Sequence, residues 1–201
     1  MPIGVRELAA EAEVSPGTVA KILPTLAQDG AVERTATGAV ELVRRRLLLS
    51  RWVADYSFAA SNSEVRWYLA PRGLDHVLSL ISQQNEVTAG SLALREYLPA
   101  GTVPVTPLMI AAFYTADPEI IATQIGLVSA APGTANVALA RPADETLLSL
   151  GPTKGRPGFV PVSQALADLL TLPGRAREEA EQLIDYLATT DPAWRADEET
   201  S

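Results

Sequence analysis

An α+β protein in two parts is what the chain predicts: a helix-turn-helix carrying a hairpin at the N-terminus, then a mixed α/β C-terminal domain. Three observations predict it. Residues 14–28, VSPGTVAKILPTLAQ, read as a turn followed by a well-started helix. Residues 31–43 read as two short β segments around a polar tip. From residue 57 onward, strand-like apolar runs alternate with amphipathic helical ones.

The first part is expected to span residues 1–56. After Gly4, the residues Val5, Leu8, Ala9 and Ala12 recur at helical spacing, and Glu11 and Glu13 flank Val14, whose side chain is expected to fill the turn between two steeply crossing helices. Ser15 is an N-cap candidate because its hydroxyl can take an otherwise unpaired backbone N–H, and Pro16 falls at the first helical position, where a missing N–H costs nothing. Val19, Ile22, Leu23 and Leu26 then recur at i, i+3, i+4 and i+7, predicting one apolar stripe. Asp29-Gly30 stops the helix, and residues 31–34 and 39–43 flank the turn Thr35-Ala36-Thr37-Gly38 as a hairpin. Helix, turn, helix, hairpin is the order of a winged helix. Its usual first helix has almost no room ahead, so that helix is expected to be missing. Either the start is late, or a helix over 43–56 covers the exposed face with Leu48, Leu49, Trp52, Val53 and Tyr56.

The outward face of the 15–28 helix carries Ser15, Gly17, Thr18, Lys21 and Thr25. It is small, hydroxylated and singly basic. A helix entering the major groove presents such a face, with short residues allowing close approach and Lys and hydroxyls reaching phosphates or base edges. Arg34, Thr35 and Thr37 would then form a wing, and Arg44, Arg45 and Arg46 a phosphate-facing group, with a solvated helix face as the alternative reading of that triplet.

The second part is expected to span residues 57–195, followed by an acidic tail, 196–201. Residues 58–64 are small and polar and read as a linker. Residues 65–70 are β-like, and 73–83 are amphipathic through Leu74, Val77, Leu78 and Ile81. VTAGSLALREYL at 87–98 precedes a β-like TVPVTPL. Asp117-Pro118-Glu119 opens a helix to about residue 127, and 136–140 is a short strand. Ser163 is expected to cap an Ala/Leu-rich helix to 172, Pro173-Gly174 breaks it, residues 175–187 form a final helix, and the chain is expected to fray from Asp191.

Composition bounds the chemistry. The 201 residues are 47% hydrophobic, enough for a real core, and include no cysteine, so disulfides, thiolate metal sites and a cysteine nucleophile are excluded. A reducing cytoplasm is the simplest setting. The longest apolar stretch, 105–114, is too short and too broken by Thr106 and Pro107 to span a bilayer. The net charge of −8 is uneven: residues 1–56 hold seven Lys and Arg against seven Asp and Glu, while residues 57–201 hold nine against seventeen. Acidity therefore belongs to the second part and does not oppose nucleic-acid binding by the first.

The catalytic constellations are mostly negative. Gly90-Ser91 suggests the glycine-serine turn of nucleotidyltransferases, but those enzymes need carboxylates on the next strand to hold Mg²⁺ against a triphosphate, and TVPVT supplies none. Gly90-Ser91 is accordingly read as a packing or helix-start feature. The sole histidine, His76, is read as a surface neighbour of Asp75. No Ser-His-Asp arrangement, metal-ligand pair or GxxxxGK(S/T) loop is visible, and GPTKGRPG at 151–158 reads as an ordinary loop. Asp168, Glu178, Glu179, Glu181 and Asp185 are expected to form a solvated acidic face. Neither a cofactor nor a metal is expected, and the chain is expected not to be an enzyme.

The blocks GVRELAAEAEVSPGTVAKIL, WYLAPRGL, VTAGSLAL, ANVALARP and VSQALADLLTLPGRAREEAEQLIDYL, with Trp194-Arg195 near the end, resemble in their order the actinobacterial branch of the AbiEi-type antitoxins of type IV toxin-antitoxin systems. The resemblance covers nearly the whole chain. It implies a winged helix that represses its own operon and a C-terminal domain that antagonises a nucleotidyltransferase-like toxin. Because single modules of this kind bind double-stranded DNA weakly, dimeric (homodimer) or tandem binding to an inverted repeat upstream of its own gene is expected. A one-component repressor whose C-terminal domain binds an effector or a protein partner is the second reading. A nucleotidyltransferase-like enzyme is the third, opposed by the missing carboxylates.

Overall fold

The computed structural model describes residues 1–81, 84, 86–151 and 158–195. The acidic tail 196–201 and most of the 151–158 loop lie outside them. The chain is a mixed α and β structure that divides into two units, residues 1–54 with the segment from residue 184, and residues 55–183. The C-terminal end is thus grouped with the N-terminal residues rather than with the 57–195 domain expected from sequence.

In the first unit, helix α1 (Val5–Glu11) precedes α2 (Pro16–Gln28), and the strands β1 (Val32–Arg34) and β2 (Val40–Val43) form an antiparallel pair. Ser15 caps α2 as its sequence predicts, its hydroxyl accepting from the Thr18 N–H at 3.0 Å. One extra residue on β2, Glu41, bulges the ladder between the pairs Glu33–Leu42 and Arg34–Val40. Ile3 bridges Val40 through two 2.8 Å hydrogen bonds, adding a third extended segment beside the hairpin. Leu23, Val32 and Val40 form the core, with Ile3, Leu8, Val19, Leu26 and Ala27 packed on it.

Two expected core positions are corrected. Ile22 is half exposed and Val14 is exposed as well. At 100° per residue, the stripe that packs is Val19, Leu23, Leu26 and Ala27, and Ile22 falls on its flank, toward Thr18 and Thr25. Helix α3 (Arg45–Asp55) buries Leu49, whereas Trp52, expected to cover an exposed face, is itself exposed.

In the second unit, a short helix α4 (Phe58–Ser61) is followed by β3 (Glu64–Leu69), α5 (Leu74–Ile81), β4 (Val87–Ala89), α6 (Gly90–Tyr97), β5 (Ala111–Tyr114), α7 (Pro118–Ile125), β6 (Val128–Ser129), β7 (Val137–Arg141), a 3₁₀ turn (Glu145–Leu150), β8 (Gly158–Phe159) and α8 (Val162–Thr171). The last helix, α9 (Ala176–Thr190), begins in this unit and ends in the first, where the 3₁₀ turn Pro192–Trp194 closes the described chain.

The six strands form one mixed sheet in the order β6-β3-β7-β5-β4-β8, in which β5–β7 and β4–β8 run parallel and the other pairs antiparallel. Strict alternation along the two central strands buries both faces. Ala112, Tyr114, Ala138 and Ala140 join the core with Phe58, Ala93 and Ala165 of α4, α6 and α8. Ala111, Phe113, Val137 and Leu139 join the core with Val77, Ile121 and Ile125 of α5 and α7.

Several sequence expectations fail here. The supposed linker 58–64 holds Phe58, which is fully buried, stacks edge-on with Trp67 and lies 5.8 Å from the Tyr114 ring. TVPVTPL is no strand: Pro104 and Pro107 have no N–H for a ladder, and the Gln182 side chain instead pairs with the Val105 N–H at 3.1 Å and the Val103 carbonyl at 3.0 Å. The strand is Val87–Ala89, ahead of the helix. Ser163 lies inside α8, which starts after Pro161. Residues 191–195 do not fray, because Asp191 caps the turn through the Ala193 N–H at 2.9 Å and Trp194 is buried.

Candidate nucleic-acid interface

Helix α2 presents Ser15, Gly17, Thr18, Lys21 and Thr25 to solvent, as the spacing predicts. The cap occupies two of the hydroxyls with each other, Ser15 Oγ and Thr18 Oγ1 lying 2.9 Å apart, so the cap fixes the first turn of the presenting helix. A Cβ at Gly17 would make only an ordinary contact, so packing within the protein does not require a glycine there. Lys21 has no ion-pair partner among the described residues. Ile22, which the sequence pattern assigns to the core, joins this exposed face.

The hairpin tip is built as a rigid loop. Thr35 accepts from the Gly38 N–H through its carbonyl, and its hydroxyl accepts from the Ala39 N–H at 3.1 Å. Gly38 has φ of 87°, a conformation only glycine adopts without strain. Arg34 folds across the tip, its Nε and Nη2 donating to the Gly38 carbonyl at 3.1 and 3.0 Å. Its guanidinium therefore braces the hairpin while staying exposed. Thr37 is exposed and Thr35 half-buried.

The three successive arginines are placed differently from one another. Arg44 donates to the Gly30 carbonyl at 3.0 Å and pairs with Glu33, tying the start of α3 to the hairpin. Arg45 pairs with Asp191 at 3.4 Å and Arg46 with Asp185 at 3.7 Å, inside the same unit. Their positive charge is thus shared with carboxylates. The exposed face of α2 and the braced hairpin remain the main candidates for contact.

Of the five residues expected to form a solvated acidic face, Glu178 and Asp185 are exposed and Glu181 is half-buried, whereas Asp168 and Glu179 are buried in polar clusters of the second unit. Asp168 is fully buried, and its Oδ1 accepts from the Tyr56 hydroxyl at 2.6 Å, from Gln164 at 2.8 Å and from the Tyr114 hydroxyl at 3.0 Å. Burial pushes its carboxyl up to about 6, against those three hydrogen bonds, which lower it. The same burial and the neighbouring carboxylate raise both tyrosines. Tyr56, expected to cover the first unit, is a member of this network instead. Glu179 is also buried; it accepts from the Thr106 hydroxyl and faces Arg95 at 3.7 Å.

Gly90 opens α6 with φ of 57°, and a Cβ there would lie 3.2 Å from Leu172 and 3.3 Å from Ala112. Close packing at a helix start accounts for this glycine. The strand that follows α6 is β5, AAFY, which carries no carboxylate either. His76 Nε2 lies 3.5 Å from Arg72 Nη1. Among the described residues, no helix is long and apolar enough to cross a membrane, and no three His, Asp or Glu side chains cluster as metal ligands. Compared with protein-family models, with curated proteins and with solved structures, the chain matches none.

Proposed function

We propose that this protein is a DNA-binding transcriptional regulator acting in the cytoplasm, with its first unit a winged helix that reads duplex DNA through α2 and steadies itself with the hairpin. The observation that carries this reading is the exposed face Gly17, Thr18, Lys21, Ile22 and Thr25 on a helix capped at Ser15, beside a loop braced by Arg34. Small residues let the helix seat deeply, Lys21 meets phosphate, and Thr18 and Ile22 face base edges. Single modules of this kind bind weakly, so a homodimer on an inverted repeat upstream of its own gene is the expected assembly. Footprinting with the full chain at that promoter tests the reading; no protection at low salt, where phosphate contacts are strongest, overturns it.

The second unit has no catalytic activity of its own and antagonises a nucleotidyltransferase-like toxin encoded nearby. This rests on the family resemblance, and the acidic balance of residues 57–201 suits competition for a basic substrate groove. Co-expression of the full chain with the neighbouring toxin, scored by growth, is the test. Unrelieved arrest by abundant folded protein removes the antitoxin role and leaves the regulator. Metal-dependent transfer of labelled nucleotide by the purified chain overturns the non-catalytic reading.

A further inference from the structure

Between the start of α5 and the end of α7 lies a hollow of about 310 Å³, within the size range of small-molecule sites. Val77 and Leu80 on α5 and Ile125 and Leu127 at the far end of α7 supply its apolar lining, and Thr123 and Gln124 add polar groups on the α7 side. Gly126 turns the chain there with φ of 72°, and the Leu127 N–H returns to the Ala122 carbonyl at 2.8 Å, so the exposed end of α7 is closed by its own backbone. Arg72, in the turn ahead of α5, and His76, in its first turn, also line it, with Nη1 and Nε2 at the edge of hydrogen-bonding distance, 3.5 Å apart.

The charges decide what such a hollow holds. No carboxylate lines it, and Arg72 has no ion-pair partner among the described residues; Asp75, next to His76 in sequence, is exposed and lies outside the lining. A second groove, along β3, offers the contrast. Its Arg66 is already held by Glu64 at 2.7 Å and Glu119 at 3.0 Å, so that groove presents a satisfied ion network. The Arg72–His76 pair instead brings two nitrogen-rich groups together with nothing acidic between them. Placing a guanidinium against an imidazole gains little by itself, whereas an anion seated between the two accepts hydrogen bonds from both.

We propose that this hollow is a binding site for a small organic acid, its anionic group held by Arg72 and His76 and its apolar body lying against Val77, Leu80 and Ile125. The site lies wholly within the second unit and does not depend on the DNA-binding reading.

His76 is the only histidine of the chain, so its imidazole proton resonances report on this one place. The test titrates the full chain with sodium benzoate, with benzamide as the neutral isostere and with sodium chloride at matched ionic strength, in the absence of DNA. Benzoate is expected to shift the His76 signals saturably, with benzamide about tenfold weaker, since hydrogen bonds to a charged acceptor are markedly stronger than those to a neutral one. Arg72→Gln, an exposed change, is expected to weaken benzoate by a similar factor while leaving the thermal midpoint in place. Absence of a saturable benzoate shift, an equal response to benzamide, a shift reproduced by chloride, or unchanged affinity in Arg72→Gln each overturns the proposal.

Discussion

The Tyr56 hydroxyl donates to Oδ1 of Asp168 at 2.6 Å, joining residues 112 positions apart in the sequence. Tyr114 and Gln164 donate to the same oxygen, so one buried carboxylate gathers the chain entering the second unit, a central strand and helix α8.

The pH dependence of stability follows from that burial. Because the folded-state value of Asp168 is raised to about 6, the unfolded chain releases its proton first, near pH 4, while the folded chain keeps it. The unfolded state therefore binds fewer protons between those values, and stability falls as pH rises from about 4 through about 6, by roughly 3 kcal/mol in total, then levels off. Asp168→Asn removes the titrating group. Urea unfolding of both proteins at pH 4.5 and pH 7 should show the wild type losing about 2 kcal/mol relative to the variant, the part of that change that falls between these two pH values, and parallel profiles would contradict it.

Phe58→Ala should cost about 3–5 kcal/mol, the range for deleting a buried aromatic, because Phe58 is fully buried against Trp67 and Tyr114. A urea midpoint close to that of wild type would mean that the short α4 helix is not part of the cooperative core.

Gly90→Ala should destabilise by about 1–2 kcal/mol from the left-handed backbone alone, with further cost from the contacts to Leu172 and Ala112. Chemical denaturation measures this directly. A neutral result would show that the start of α6 relaxes without penalty.

Lys21→Ala should weaken promoter binding by about fivefold and lower the salt slope by roughly one unit, if Lys21 meets a phosphate. The thermal midpoint should not move, since the side chain is exposed. Arg34→Ala should act differently: it loosens the Gly38 tip, so hydrogen exchange at the Gly38 and Ala39 amides should quicken even without DNA. Unchanged exchange there would remove the bracing role.

Local chemistry determined what the sequence could determine alone. Ser15-Pro16 and Asp117-Pro118 mark helix starts because a short acceptor side chain and a proline satisfy the first turn without help from elsewhere. The 35–38 turn marks a hairpin because Gly38 supplies a backbone angle that few residues tolerate. The outward residues of α2 were legible from the same 3.6-residue period that buries Val19, Leu23 and Leu26, with Ile22 misread because it lies on the margin of that stripe.

Tertiary structure alone decided which polar and small segments go inside. Asp168 and Glu179 carry the composition of a solvated face, and residues 58–64 that of a linker. Asp168, Glu179 and, within 58–64, Phe58 are buried because Tyr56, Tyr114, Thr106 and Arg95, or the Trp67 and Tyr114 rings, arrive from other parts of the chain to meet them. The same is true of TVPVTPL, whose β-like residues find no ladder, and of the hollow beside Arg72 and His76, which exists only because the end of α7 comes to face α5. Periodicity and capping are properties of neighbours in sequence, whereas the burial of a charge depends on partners that the sequence does not place side by side.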